Sequence, residues 1–146
     1  MPRILFVDDN KEYLGIISAL LNKVGYDVVT AENGLEAINK FNESCFDAVV
    51  TDLIMPGANG YELAKYIRKT SGGDGVPAII CITGTSYDID RRSFDVFLEK
   101  PFSIKKLITH LKDFENKKNS VNARYNNGSF KSGSARRVTL SGCCDF

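Results

Sequence analysis

The sequence predicts an α/β domain, a doubly wound five-stranded parallel sheet covered by helices on both faces. Short, continuous apolar runs recur five times along the chain, and stretches with apolar residues at helical spacing separate them. The runs are continuous rather than alternating, the mark of strands that face a helix layer on either side. Several of them stop abruptly at a carboxylate, a hydroxyl or a lysine.

The first run, Ile4-Leu5-Phe6-Val7, stops at Asp8-Asp9-Asn10. From Lys11, the residues Leu14, Ile17, Leu21 and Val24 fall on one helical face, with Asn10 as N-cap and Gly25 as a stop. Residues 26–31 form a second strand, Asn33-Gly34 a turn, and residues 35–42 a second helix with Ala37, Ile38 and Phe41 on one side. Residues 46–52 make the third strand, which ends in Asp52 and runs into Leu53-Ile54-Met55-Pro56-Gly57-Ala58-Asn59-Gly60. A third helix over 61–70 turns Leu63, Tyr66 and Ile67 inward, and glycines at 72, 73 and 75 end it. The fourth strand, 76–83, ends in Thr83-Gly84. Residues 88–94 are a short, polar helical candidate, and 95–98 a fifth strand. Ser103 caps a last helix with a stripe of Ile104, Leu107, Ile108, Leu111 and Phe114.

At 146 residues and 43% hydrophobic content, the chain can bury one core but not two. The expected organisation is one domain over 1–118 and a flexible tail over 119–146, where Ser, Asn, Gly and Arg dominate. Net charge is +1, with four basic residues against one acidic residue in the tail, too little to support nucleic-acid binding. With no bilayer-length apolar run and no leader pattern, the expectation is a cytoplasmic protein without a membrane segment. Cys45, Cys81, Cys143 and Cys144 have no metal-ligand spacing, and the single His110 argues against a Ser-His-Asp or Cys-His enzyme. Cys143 is four residues from the end, but Asp145 is out of place in a prenylation motif.

In a parallel sheet, all strands deliver their carboxyl ends to one edge, where open α/β folds bind ligands. Asp8, Asp9, Asp52, Thr83 and Lys100 therefore converge. Crowded carboxylates repel unless a cation sits among them, and Mg2+ suits an all-oxygen donor set that also meets phosphate. Lys100 adds a point charge and Thr83 a hydroxyl, while Gly84 leaves room for a group to enter. Such an inventory fits a carboxylate nucleophile that accepts a phosphoryl group.

Asp8-Asp9, Asp52-x-x-Met55-Pro56-x-x-x-Gly60, Thr83-Gly84 and Phe97-x-x-Lys100-Pro101-Phe102 resemble the receiver domain of bacterial two-component response regulators. The resemblance covers residues 3 to about 116. It implies a flavodoxin-like strand order 2-1-3-4-5, with Asp52 as phospho-acceptor from a sensor histidine kinase or histidine phosphotransfer protein. It implies Mg2+ held by Asp9 and Asp52, by the backbone carbonyl of Ile54, and by Asp8 chiefly through water. Thr83 and Phe97 would form the conformational switch, Lys100 would bridge to the phosphoryl group, and the bond before Pro101 would be cis. Ile54 and Thr85 also fall where the family tunes water's access to the acyl phosphate.

Thr83 and Lys100 are closer in sequence than is usual in the family, which implies a shortened fourth helix and output through another surface or through a loop that orders on phosphorylation. The expected function is a stand-alone receiver that is phosphorylated and signals to an output partner, not a turnover enzyme. Two alternatives stand beside it. One is an aspartyl-nucleophile phosphohydrolase of similar fold, although Asp8-Asp9-Asn10 lacks that class's Asp-x-Asp spacing. The other is a phosphorylation-independent interaction module.

Overall fold

The computed structural model describes residues 1–55, 59–71, 75–84 and 91–127. The elements run β1 (Arg3–Val7), α1 (Lys11–Lys23), β2 (Asp27–Ala31), α2 (Gly34–Glu43), β3 (Ala48–Asp52), α3 (Gly60–Ser71), β4 (Ala78–Thr83), β5 (Val96–Glu99) and α4 (Ile104–Asn127). All strand pairs are parallel, in the order β2-β1-β3-β4-β5. The chain moves outward from β1 to β2 and then returns to the other side of β1 for β3. The reversal leaves a crevice at the carboxyl ends of β1 and β3, the place where this class of sheet opens to a ligand.

Strand alternation divides the apolar runs between two cores. Leu5, Val7, Val49, Ile79 and Cys81 face α2 and α3, where Ala37, Leu63, Ala64 and Ile67 meet them. Ile4, Phe6, Ala48, Val50, Ile80, Ile82 and Leu98 face the opposite way, against Leu14, Ile17 and Leu21 of α1 and Leu107 and Leu111 of α4. Neither face of the inner strands meets solvent, so β1, β3 and β4 read as unbroken apolar runs.

Helix ends follow local chemistry. Asn10 Oδ1 accepts from the Tyr13 amide at 3.2 Å and starts α1. At the other end Gly25 takes φ 104°, the Gly25 amide bonds to the Asn22 carbonyl, and the Tyr26 amide reaches back to the Leu21 carbonyl. The Tyr26 hydroxyl then donates to Glu115 Oε2 at 3.0 Å, fastening α4 beside the start of β2.

Two features differ from the sequence expectation. Between β4 and β5, the described residues hold no α-helix but one 3-10 turn, Arg91–Ser93, followed by Phe94; residues 88–90 of the 88–94 helical candidate lie outside the described residues. The last helix also runs through to Asn127, so the first part of the expected tail is helical. No Gly or Pro interrupts the chain between Ser103 and Gly128, and a helix once nucleated on a packed stripe propagates at little cost through polar residues. Residues 128–146 lie outside the described residues.

Candidate phosphoryl-transfer site

Asp8, Asp9 and Asp52 meet at the crevice between β1 and β3. One carboxylate oxygen from each lies within 4.8 Å of the others. Asp8 is only 2% exposed, Asp52 is half-buried as the last residue of β3, and Asp9 is exposed. The Asp8 amide donates to the Ala31 carbonyl at 3.1 Å, which carries the ladder one residue past β1. Its Oδ1 accepts the Asn10 amide at 3.0 Å, so one asparagine both caps α1 and orients the carboxylate.

Lys100 supplies the opposing charge. Its Nζ donates to Asp52 Oδ2 at 2.9 Å and lies 3.5 Å from Asp8 Oδ2. The Lys100 amide donates to the Thr83 carbonyl at 2.8 Å, fixing its backbone to the end of β4, and the Lys100–Pro101 peptide bond is cis. Burial raises the Asp8 pKa above the usual carboxylate value. The Asn10 amide and the Lys100 charge oppose that rise, and the Asp52 charge adds to it. For Lys100, burial favours the neutral amine, but the hydrogen bond to Asp52 and the two carboxylate charges outweigh it and raise the ammonium pKa. A buried acid that resists ionising and a lysine held charged mark a site short of positive charge.

The segment after Asp52 folds back onto its own strand. The Leu53 amide bonds to the Ile82 carbonyl at 3.1 Å, and the Gly60 amide to the Leu53 carbonyl at 2.9 Å. Asn59 and Glu62 exchange side-chain-to-amide hydrogen bonds, a capping box that starts α3. Ile54 is 61% exposed and Met55 is buried, while Pro56 lies outside the described residues. Thr83 is buried at the end of β4. Phe97 pairs with Cys81 across β4 and β5, two residues before Thr83 on the same face, and it stands half-buried with its ring 5.3 Å from Phe94.

Two contributions to the site are not visible in the sequence. Gly60 belongs to the motif, but its packing against the Asp52 backbone is visible only in three dimensions: a Cβ there would lie 2.8 Å from the Asp52 carbonyl oxygen and 3.0 Å from Leu53 Cα. Tyr13 is the other. It sits one turn into α1, edge-on to Phe6 and to Phe102.

A family model for the response regulator receiver domain matches residues 4–112. This chain belongs to the receiver domain family. Among its relatives is a transcriptional regulatory protein CpxR homolog of Haemophilus influenzae, 43% identical over 117 residues, which are 77% of this chain and 49% of the relative. The chain thus spans about half the length of that regulator. Among solved structures, the receiver domain from Clostridium thermocellum superposes with a TM-score of 0.74 at 29% identity, covering 83% of this chain and 99% of that one. The response regulator TrrA of Thermotoga maritima, solved with Mg2+ and a beryllium fluoride, gives 0.70 at 35% identity over 78% of this chain and 99% of its own. TrrA has also been solved in complex with the histidine kinase ThkA. As a receiver domain, the chain is of the response-regulator class of two-component systems. Among the described residues no helix is long and apolar enough to cross a membrane.

Proposed function

We propose that Asp52 accepts a phosphoryl group from a histidine of a sensor kinase or phosphotransfer protein, and that the modified receiver signals through Thr83 and Phe97. The observation that supports this best is Lys100 Nζ at 2.9 Å from Asp52 beside two further carboxylates. A carboxylate oxygen of Asp52 attacks phosphorus, the P–N bond breaks, and the released imidazole takes a proton. Lys100 neutralises the oxygens on which charge gathers.

The donor set of Asp8, Asp9 and Asp52, all hard oxygens with one buried, fits Mg2+, and the Ile54 carbonyl and waters would complete it. Bound there, the ion would screen the carboxylates from each other and from the incoming phosphoryl oxygens. The TrrA structure with Mg2+ and a phosphoryl mimic supports this assignment by similarity. Thr83 supplies the hydroxyl for the phosphoryl group, and Phe97 turns inward as Thr83 moves.

The kinase partner, supported by similarity to TrrA, would approach along α1. That helix opens at Asn10 beside the acidic site, and one turn apart it exposes Ile16 and Leu20, apolar side chains suited to a helical partner. In this reading the protein is a cytoplasmic phosphoacceptor and not a turnover enzyme.

The test is incubation with acetyl phosphate and Mg2+, read by intact mass. The native chain should gain one phosphoryl group and Asp52→Asn none. Continuous release of phosphate from a phosphomonoester would instead mark a phosphohydrolase, and no uptake at Asp52 would leave an interaction module.

A further inference from the structure

Lys100 reaches the carboxylates from a segment that leaves β5 at Glu99 and does not enter α4 until Ile104. A lysine has a flexible stem, so its head group stays in place only if its backbone is held. The hydrogen bond from the Lys100 amide to Thr83 holds one end of this segment. Its middle is held by aromatic packing. Phe102 is half-buried against the α1–α4 core and meets Tyr13 with ring centroids 6.2 Å apart and planes at 86°. Tyr13 is itself fixed twice, by the bond from its amide to Asn10 Oδ1 and by an edge contact at 6.2 Å with the fully buried Phe6. Edge-to-face pairs of this kind are specific in geometry as well as attractive.

The Tyr13 phenol also lies in the field of the site. Burial first, and the Asp8 and Asp52 charges after it, push its pKa up to about 12, so it stays neutral beside the carboxylates. Phe6, two residues before Asp8, meets the Tyr13 ring, and Asn10, two residues after Asp8, accepts from the Tyr13 amide, so Tyr13 connects the acidic loop to the lysine loop.

We infer that Tyr13 is a positioning residue for phosphoryl transfer, its ring bracing Phe102 so that Lys100 is held on Asp52. This rests on the reading of Asp52 as the phosphoryl acceptor. The ring does the bracing, and the hydroxyl is dispensable.

The experiment compares phosphorylation rates of the full chain at saturating acetyl phosphate and Mg2+ for native, Tyr13→Leu and Tyr13→Phe proteins. Tyr13→Leu and its native counterpart are then repeated in a Lys100→Met background, and Mg2+ affinity is measured by calorimetry throughout. Tyr13→Leu should slow phosphorylation about tenfold, the scale of a small misplacement of a catalytic group, with Mg2+ affinity unchanged. Tyr13→Phe should restore the native rate, and in the Lys100→Met background the leucine change should have no effect. An undiminished rate, equal slowing in both backgrounds, or a parallel fall in Mg2+ affinity would overturn the assignment. If Tyr13→Leu does not fold, Phe102→Leu takes its place with the same expected pattern. Native protein that gains no phosphoryl group under these conditions would overturn the reading of Asp52 itself, and the inference with it.

Discussion

Gly60 stands against the backbone of Asp52, so that the first helical residue of α3 leaves no space for a side chain: a Cβ there would lie 2.8 Å from the Asp52 carbonyl oxygen. The candidate nucleophile is thus held from behind by the helix that follows it. In an ordinary helix, replacing Gly by Ala stabilises by roughly 0.5–1 kcal/mol. Here the added carbon meets backbone on both near contacts, and overpacking of this kind costs about 1–3 kcal/mol. The second effect wins, so Gly60→Ala should lower the denaturant midpoint with an unchanged slope. It should also slow phosphorylation, because the loop that yields is the one carrying Asp52.

Removing the lysine charge separates two roles. Lys100 Nζ lies 2.9 Å from Asp52 Oδ2 and 3.5 Å from Asp8 Oδ2, two of the carboxylates proposed to hold Mg2+. Lys100→Met takes away a competing charge and leaves the carboxylates facing each other, so Mg2+ should bind at least as tightly as in the native protein. The phosphorylation rate should nonetheless fall by about a hundredfold, since a fixed charge on the transferring oxygens is lost. Calorimetry for the metal and intact mass against time for the modification read the two effects independently.

Alkaline pH should destabilise the fold through groups buried in neutral form. Burial, with a smaller contribution from the Asp52 charge, pushes the Cys81 thiol from 9.0 up to about 12. The folded pKa lies above the unfolded one, so this contribution to stability is complete below pH 9.0 and is lost as pH rises toward about 12. The slope of unfolding free energy against pH in that window should therefore be negative, and shallower in Cys81→Ala. Peptide mapping after treatment with iodoacetamide should find Cys81 unmodified in folded protein and modified in denaturant.

The side chain at residue 54 is predicted to set the lifetime of the modified state. Ile54 is exposed two residues after Asp52, the proposed acceptor, and an apolar side chain cannot orient a water toward an acyl phosphate. Ile54→Asn should hasten loss of the phosphoryl group, measured by intact mass after the donor is removed. An unchanged decay would assign that lifetime to other residues.

Much of this architecture is legible in the sequence because burial on both faces leaves a plain signature. Ile4 to Val7 and Ile79 to Ile82 have no polar residue to break them, and the loss of the apolar run at Asp8 and at Thr83 marks where the strands reach the sheet edge. Caps are legible for the same local reason, as with Asn10 and Gly25. The end of α4 is not, because residues 119–127 are polar in composition, yet nothing in them stops a helix already anchored by Leu107 and Leu111. The bracing of Phe102 by Tyr13 is hidden as well, since the two rings are brought together by topology and not by spacing.

The short link between β4 and β5 leads to the last prediction. Phe94, just after the 3-10 turn, is buried between Tyr61 at the start of α3, at 5.5 Å, and Phe97 of β5, at 5.3 Å. Arg68 of α3 fastens the same turn, its Nε donating to the Ser93 carbonyl at 3.1 Å and its Nη2 lying 3.6 Å from Asp95 Oδ2. Any inward rotation of Phe97 must therefore move Phe94, because packed rings shift together and do not open gaps. Addition of beryllium fluoride and Mg2+ should change hydrogen-exchange protection across residues 91–97 and the near-ultraviolet signal of Tyr61. Phe94→Leu keeps the site intact but removes the ring between them. In that variant the mimic should still bind, the change at residues 96–97 should persist, and the response of Tyr61 should be lost. Equal protection of 91–97 with and without the mimic in the native protein would show that the switch does not travel through Phe94.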